Sequence, residues 1–106
     1  MRELMPGTAD LVLPERLDAT TVHELRDALA LAMDAAPGAA VVLDVSAVCV
    51  VDSVGLGLLL SAHRACQSSG RRLVLAHPPP ALLRLLAVTR LHRVLHVDRA
   101  EAAAGA

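Results

Sequence analysis

The sequence predicts a single α/β domain, a small mixed sheet of four to five strands packed with about four helices. Three observations carry this expectation. The chain has 106 residues, the size of one domain. Strand-like and helix-like stretches alternate along it, the pattern of a layered α/β fold. Between residues 41 and 76 two apolar β-rich runs flank a helical stretch, which implies parallel strands joined by a right-handed crossover.

Thr8 to Leu13 alternates weakly and stops at Pro14, a short strand, and Arg2 to Met5 is expected to pair with it across Pro6-Gly7. The first helix begins after Leu17-Asp18. Thr21 with Glu24 three residues on has capping-box spacing, with Asp18 and Thr20 as rival N-caps. Val22, Leu25, Leu29, Ala32 and Met33 recur at helical spacing, and Pro37-Gly38 ends the segment. Val41 to Val45 is a continuous apolar run broken only by Asp44, expected to be a strand covered on both faces. Gly55 to Ser69 forms the second helix, with Leu56, Leu59, Leu60 and His63 along one side and Leu58, Ala62 and Ala65 widening the apolar surface. Gly70 is placed as its C′ glycine. Leu73 to Ala76 is a second buried strand. Pro78-Pro79-Pro80 then pre-forms the first turn of a third helix over Ala81 to Thr89. Val94 to Val97 makes a last strand, Asp98 to Ala104 a short Ala-rich helix, and residues 101–106 a tail.

Composition narrows the function. Hydrophobic residues make up 55 % of the chain and charged residues 20 %, which excludes a disordered polymer. Phe, Tyr and Trp are absent, so no aromatic platform exists for stacking bases. The net charge of −1 lacks the basic footprint of a nucleic-acid binder, and the one adjacent basic pair, Arg71-Arg72, reads as a solvated turn. Cys49 and Cys66 lie in apolar surroundings without metal-ligand spacing and read as small buried hydrophobes in a reducing compartment. Met1 to Met5 contains Arg2 and Glu3 and no apolar core, so no signal peptide is expected. Val41 to Leu60 is long enough to span a bilayer, but Asp44 and Asp52 interrupt it. The expectation is a soluble cytoplasmic protein with no membrane insertion, no nucleic-acid partner and no cofactor.

The strongest local signal is Val50-Val51-Asp52-Ser53-Val54-Gly55-Leu56-Gly57, an acid and a hydroxyl where a strand meets a helix. Asp52 or Ser53 can accept hydrogen bonds from the first free helix amides, and the helix dipole favours negative charge there. Glycines 55 and 57 let another backbone or a ligand approach closely. On these residues alone, an ordinary N-cap with a tight turn and a binding surface are both open. A bulky residue at Gly55 is expected to weaken binding without unfolding the domain.

Leu43-Asp44-Val45-Ser46 followed by Val51-Asp52-Ser53-Val54-Gly55-Leu56-Gly57 resembles the signature of the STAS family, which includes bacterial anti-sigma-factor antagonists. Arg16-Leu17-Asp18 is similar to the family's Gly-Glu-Leu-Asp lead-in to the first helix. Pro80, Arg84-Leu85 and Leu91 extend the likeness, which covers about residues 8 to 100. The resemblance implies binding to an anti-sigma factor with an ATP-binding kinase fold, and release of a sigma factor. It implies further that the antagonist is switched by phosphorylation of the Ser or Thr immediately before the glycine. Here that position is Val54, and Ser53 matches a neighbouring serine that is usually not the acceptor. Three readings follow: constitutive binding, which is favoured, Ser53 as a substitute phosphorylation site, or another partner.

The resemblance assigns Asp18, Asp52, Ser53, Val54, Gly55 and Leu56 to partner binding, with Asp18 and the Asp52-Ser53 turn at the same end of the domain. Asp18 is equally well an ordinary N-cap. The alternative function is a scaffold or accessory subunit of a stressosome-like or membrane-transport complex. Catalysis is not expected. His23, Glu24 and Ser53 lack a Gly-x-Ser-x-Gly elbow, and no glycine-rich loop with a lysine is present. His92 and His96 have helical metal-pair spacing but fall at a predicted strand with no third ligand nearby. His63 reads as a satisfied core or boundary histidine.

Overall fold

The computed structural model describes residues 9–98. Strand β1 (Leu11–Val12) and strand β2 (Arg16–Leu17) precede helix α1 (Val22–Ala35). Strand β3 (Ala40–Asp44) and strand β4 (Val50–Val51) lead into helix α2 (Ser53–Ser68). Strand β5 (Arg72–Ala76), helix α3 (Pro80–Val88), a 3-10 turn (Leu91–Arg93) and strand β6 (His96–Asp98) complete the chain. The domain is the expected mixed α/β fold, with three α-helices among the described residues rather than about four. Asp98 closes β6, and the remainder of the expected fourth helix lies outside the described residues. So does the expected Arg2–Met5 strand.

The main sheet has the order β1-β3-β5-β6, and β2 pairs with β4 in a second small sheet. Every pairing among the described residues is parallel. Each successive strand of the main sheet is reached through one helix, as parallel neighbours require. Register puts Val41 beside Leu73 and Leu43 beside Leu75 on one sheet face. All four are essentially inaccessible. They join Leu25 and Leu29 of α1, Leu58 and Leu59 of α2, and Leu82 and Leu86 of α3 in one cluster. Each such leucine contributes about 1.5–3 kcal/mol of burial. Val42 and Val74 on the other face are only half-buried, which corrects the expectation of a strand covered on both sides.

The expected capping box at α1 does not form. Thr21 has helical rather than extended backbone angles, which turn its hydroxyl back toward the preceding loop. There it accepts from Asp18 N at 3.2 Å and lies 3.1 Å from Arg16 O. The other end of α1 holds a larger surprise. Arg71 is not a solvated turn residue: its guanidinium donates to Met33 O at 2.5 Å, Ala36 O at 3.0 Å and Gly38 O at 3.3 Å. The Met33 and Ala36 carbonyls are at the helix end, where carbonyls are left unpaired, Gly38 O belongs to the turn that follows, and the cation also sits at the negative end of the dipole.

Helix α2 ends as the glycine predicts. Gly70 has φ +72°, its N–H donates to Gln67 O, and Arg71 N–H donates to Cys66 O at 2.8 Å. This pair of bonds is the Schellman arrangement. The buried face of α2 is Gly55, Leu58, Leu59, Ala62, His63 and Cys66. Leu56 and Leu60 are half-buried and Ala65 is exposed, so the apolar stripe is rotated from the expected one. Of the cysteines, Cys66 is buried, where burial pushes its thiol pKa up. Cys49 is exposed, contrary to the sequence reading, because it follows buried Val48 in the loop before β4. No helix among the described residues is long and apolar enough to cross a membrane.

Candidate partner-binding site

The head of α2 is organised by Asp52, the residue between β4 and the helix. Its extended backbone makes it the N-cap, and its Oδ1 accepts from Gly55 N at 2.9 Å. Its Oδ2 accepts from Ala19 N at 3.1 Å, which ties the α2 turn to the loop before α1. The parallel pairing of Arg16 with Val50 and Leu17 with Val51 brings the two loops together. Asp18 and the Asp52-Ser53 turn therefore share one end of the domain, as expected.

Asp18 is neither a cap of α1 nor an exposed contact. It is 5 % exposed, and its Oδ1 accepts from Thr20 Oγ1 at 2.6 Å and from Thr20 N at 3.0 Å. Its Oδ2 meets Arg16 Nη2 at 2.7 Å. The Thr20 hydroxyl, with the Thr20 amide and the Arg16 guanidinium, holds the Asp18 carboxyl below its ordinary range, although burial pushes the other way.

The remaining predicted residues separate into two groups. Ser53 and Val54 face solvent, Val54 with 41 % of its surface exposed. Gly55 is buried and Leu56 is half-buried against the core. A β-carbon on Gly55 would stand 1.9 Å from Leu17 O, so glycine is required by the fold itself. The expectation that a bulky residue here spares the fold is thereby overturned. Gly57 has nothing within 4 Å of where a β-carbon would be, and is open on its outer side. Arg16, Leu17, Ala19 and Thr20 are participants that sequence reasoning missed. The Arg16-x-Asp18 spacing was visible, but the reach of Asp52 to Ala19 depends on pairing between two very short strands.

The histidines do not converge on this end. His92 Nδ1 lies 3.3 Å from Leu86 O, and the His96 ring lies 6.2 Å from that of His63. His63 is buried, yet its Nδ1 has no hydrogen-bond partner, so it is not the satisfied core residue that was expected. Among the described residues no three His, Cys, Asp or Glu side chains form a metal-binding group.

A family model described as "Mlab, STAS domain" matches residues 2–97. The chain belongs to the STAS domain family. Its fold is also that of solved structures described as anti-sigma factor antagonists. A Thermotoga maritima protein described as a candidate anti-sigma factor antagonist, solved by crystallography, superposes with a TM-score of 0.69. It is 22 % identical, over 98 % of this chain and 95 % of that one. The anti-sigma factor antagonist SpoIIAA in its unphosphorylated form gives a TM-score of 0.66 at 20 % identity, over 93 % of this chain and 89 % of its own. At such identities the likeness is one of fold. No curated protein sequence matches the chain. Within the STAS domain, the Asp52 turn joins a capped helix start to the exposed side chains of Ser53 and Val54.

Proposed function

We propose that this STAS domain is an anti-sigma-factor-antagonist-type regulator of the cytoplasm, with no catalytic activity of its own. It binds a kinase-type anti-sigma factor through the head of α2 and so frees a sigma factor. The single observation that carries this reading is the exposed Ser53-Val54 pair held by the Asp52 cap at the end of the domain shared with Asp18. Within the surface, Asp52, Ser53 and Val54 make the contacts, while Asp18, Gly55 and Leu56 build the platform beneath them. Because a valine stands before the glycine, binding is constitutive, with no hydroxyl at position 54 to phosphorylate.

The test is Val54→Glu against a candidate ATP-binding anti-sigma factor from the same genome. Position 54 is exposed in the first turn of the helix, where negative charge suits the dipole, so the fold survives. Against the partner, the added charge must be desolvated beside Asp52, so the complex weakens. Circular dichroism melts and titration calorimetry separate the two effects, and undiminished affinity in a folded variant removes the assignment. Intact mass after incubation with the partner and ATP should not change. A stoichiometric phosphate on Ser53 would replace constitutive binding with a switch.

The same exposed valine favours a second reading, a permanent scaffold or accessory subunit of a stressosome-like or membrane-transport complex. An apolar contact with no switching group serves a lasting assembly equally well. Affinity purification from native cytosol distinguishes the two by whether an anti-sigma factor or a multi-subunit complex is recovered.

A further inference from the structure

The charges of this chain are divided along its length. Residues 1–52 hold nine of the eleven acids and three of the ten arginines, whereas residues 53–97 hold six arginines and no acid. The fold carries this division to opposite edges of the main sheet. Helix α1 packs on α2 and on β1, the strand at one edge. Helix α3 leads through the 3-10 turn to β6, the strand at the other.

Each of these two helices turns a charged face outward with an apolar residue set in it. On α1, about 100° of rotation per residue brings Glu24, Asp27, Leu31 and Asp34 within an arc of about 80° and a length of about 15 Å. All four are exposed, Leu31 by 71 %, and they lie opposite the buried Val22, Leu25 and Leu29. Arg26 falls outside the arc, on the side toward α2. On α3, Arg84 stands opposite the buried Leu82 and Leu86, and Val88, one turn on, is 80 % exposed. Arg90 then takes a left-handed φ of +62° and starts the 3-10 turn, which His92 holds near the helix, its Nδ1 3.3 Å from Leu86 O. Arg90 and Arg93 add two exposed guanidinium groups beside Arg84 and Val88. Among the described residues the one ion pair is Arg16–Asp18, so none of these acids and arginines is neutralised within the molecule.

We infer that the acidic face of α1 in one copy of this chain docks on the basic face of α3 and its following turn in a second copy. Leu31 meets Val88, and the carboxylates of Glu24, Asp27 and Asp34 face the guanidinium groups of Arg84, Arg90 and Arg93. Complementarity selects a second copy as the occupant, because the two faces match in sign and each carries one large exposed aliphatic residue. Since they stand at opposite edges of the sheet, the contact is heterologous. A copy that uses its α1 face keeps its α3 face free, so assembly proceeds head to tail into a ring or an open chain. Two single-helix faces make a small contact, which gives weak association. Neither face includes the head of α2, so this self-association is independent of the proposed anti-sigma binding.

Sedimentation equilibrium of the full chain over a concentration series tests it. At about 0.01 M salt the average mass should rise with concentration beyond two copies. At about 1 M salt it should fall to that of the monomer, because the screening length contracts from about 30 Å to about 3 Å. Asp27→Arg and Arg84→Glu each reverse one charge at an exposed helix position and should melt as wild type does. Each variant alone should self-associate at least about tenfold more weakly, since the reversal puts like charges together. An equimolar mixture should recover association, because the intact acidic face of Arg84→Glu meets the intact basic face of Asp27→Arg. Asp34→Arg and Arg93→Glu serve in their place if either variant fails to fold. A wild-type chain that stays monomeric throughout the low-salt series would overturn the inference. So would a mass that stops at two copies, association indifferent to salt, or a mixture no more associated than its components.

Discussion

Gly55 passes so close to Leu17 that a β-carbon on the glycine would stand 1.9 Å from the Leu17 carbonyl oxygen and 2.6 Å from its carbon. The obstacle is backbone, so no rotamer change relieves it. It lies at the start of α2, where β2 and β4 pair, and it makes the turn compact enough for Asp52 to reach Ala19.

Replacing Gly55 with alanine should therefore destabilise the domain by about 3 kcal/mol or more, because the loop must move away from the helix. Gly57→Ala gives the contrast. It lies inside the same helix with open space around it, and alanine there should stabilise by about 0.5–1 kcal/mol through helix propensity. Urea unfolding of both variants reads the difference. Equal midpoints would mean that the close approach at Gly55 is absent in solution.

Asp52 has two structural bonds in addition to any contact it makes outward. Asp52→Ala removes the cap on Gly55 N and the tie to Ala19 N, and should cost about 1–2 kcal/mol. Asp52→Asn keeps an acceptor for one of the two and should cost less. Thermal melts order the three proteins, and an unchanged Asp52→Ala midpoint would show that neither bond stabilises the fold.

The parts of this molecule that were legible in the sequence are those written in local pattern. The strand–helix alternation follows from apolar runs and helical spacing, and the α2 cap follows from an acid placed at a strand–helix junction. Gly70 is legible because a left-handed residue after a helix is most easily a glycine. The parts that were not legible join residues far apart in the chain. Neither Leu17 against Gly55 nor Arg71 against Met33 has any local signature. Cys49 was misjudged because hydrophobic neighbours in sequence do not place a loop residue inside. At the site, the residue types of the turn were readable, but their division into exposed Ser53 and Val54 and buried Asp18 and Gly55 required the β2–β4 pairing.

Asp18 links the site to pH. Its carboxyl is held below the ordinary value of 3.8 by Thr20 and Arg16. A carboxyl with a lowered folded-state pKa adds stability that is fully present above its ordinary pKa. That stability is lost as pH falls through the lowered folded value. Asp18→Asn should melt earlier than wild type at neutral pH, and the gap should close as pH drops below about 3.8. Melts across that range test it. A gap that stays constant with pH would assign the loss to packing of the amide instead of to the charge.

Arg71 makes the farthest-reaching contact at the other end of the fold. Its three bonds to Met33, Ala36 and Gly38 carbonyls close the end of α1 from the start of β5, a separation of more than thirty residues in the chain. Bonds from a charged donor are worth more than neutral ones, and a half-buried guanidinium fixes three acceptors at once. Arg71→Met keeps the apolar stem and removes every bond, and should cost about 2 kcal/mol. Arg71→Lys places a point charge near the same carbonyls but cannot reach all three in the planar geometry, so it should recover only part of the loss. The position lies beside Gly70 and the first residues of β3 and β5, where Arg72 N–H donates to Ala39 O, whereas the Asp52 turn opens α2 at the far end. Partner affinity measured below the melting temperature should therefore equal that of wild type in both variants. Denaturant midpoints and titration calorimetry together decide the matter. A wild-type midpoint in Arg71→Met would show that water replaces the clamp without loss, and a fall in affinity without a fall in stability would show that the partner surface reaches this end of the domain.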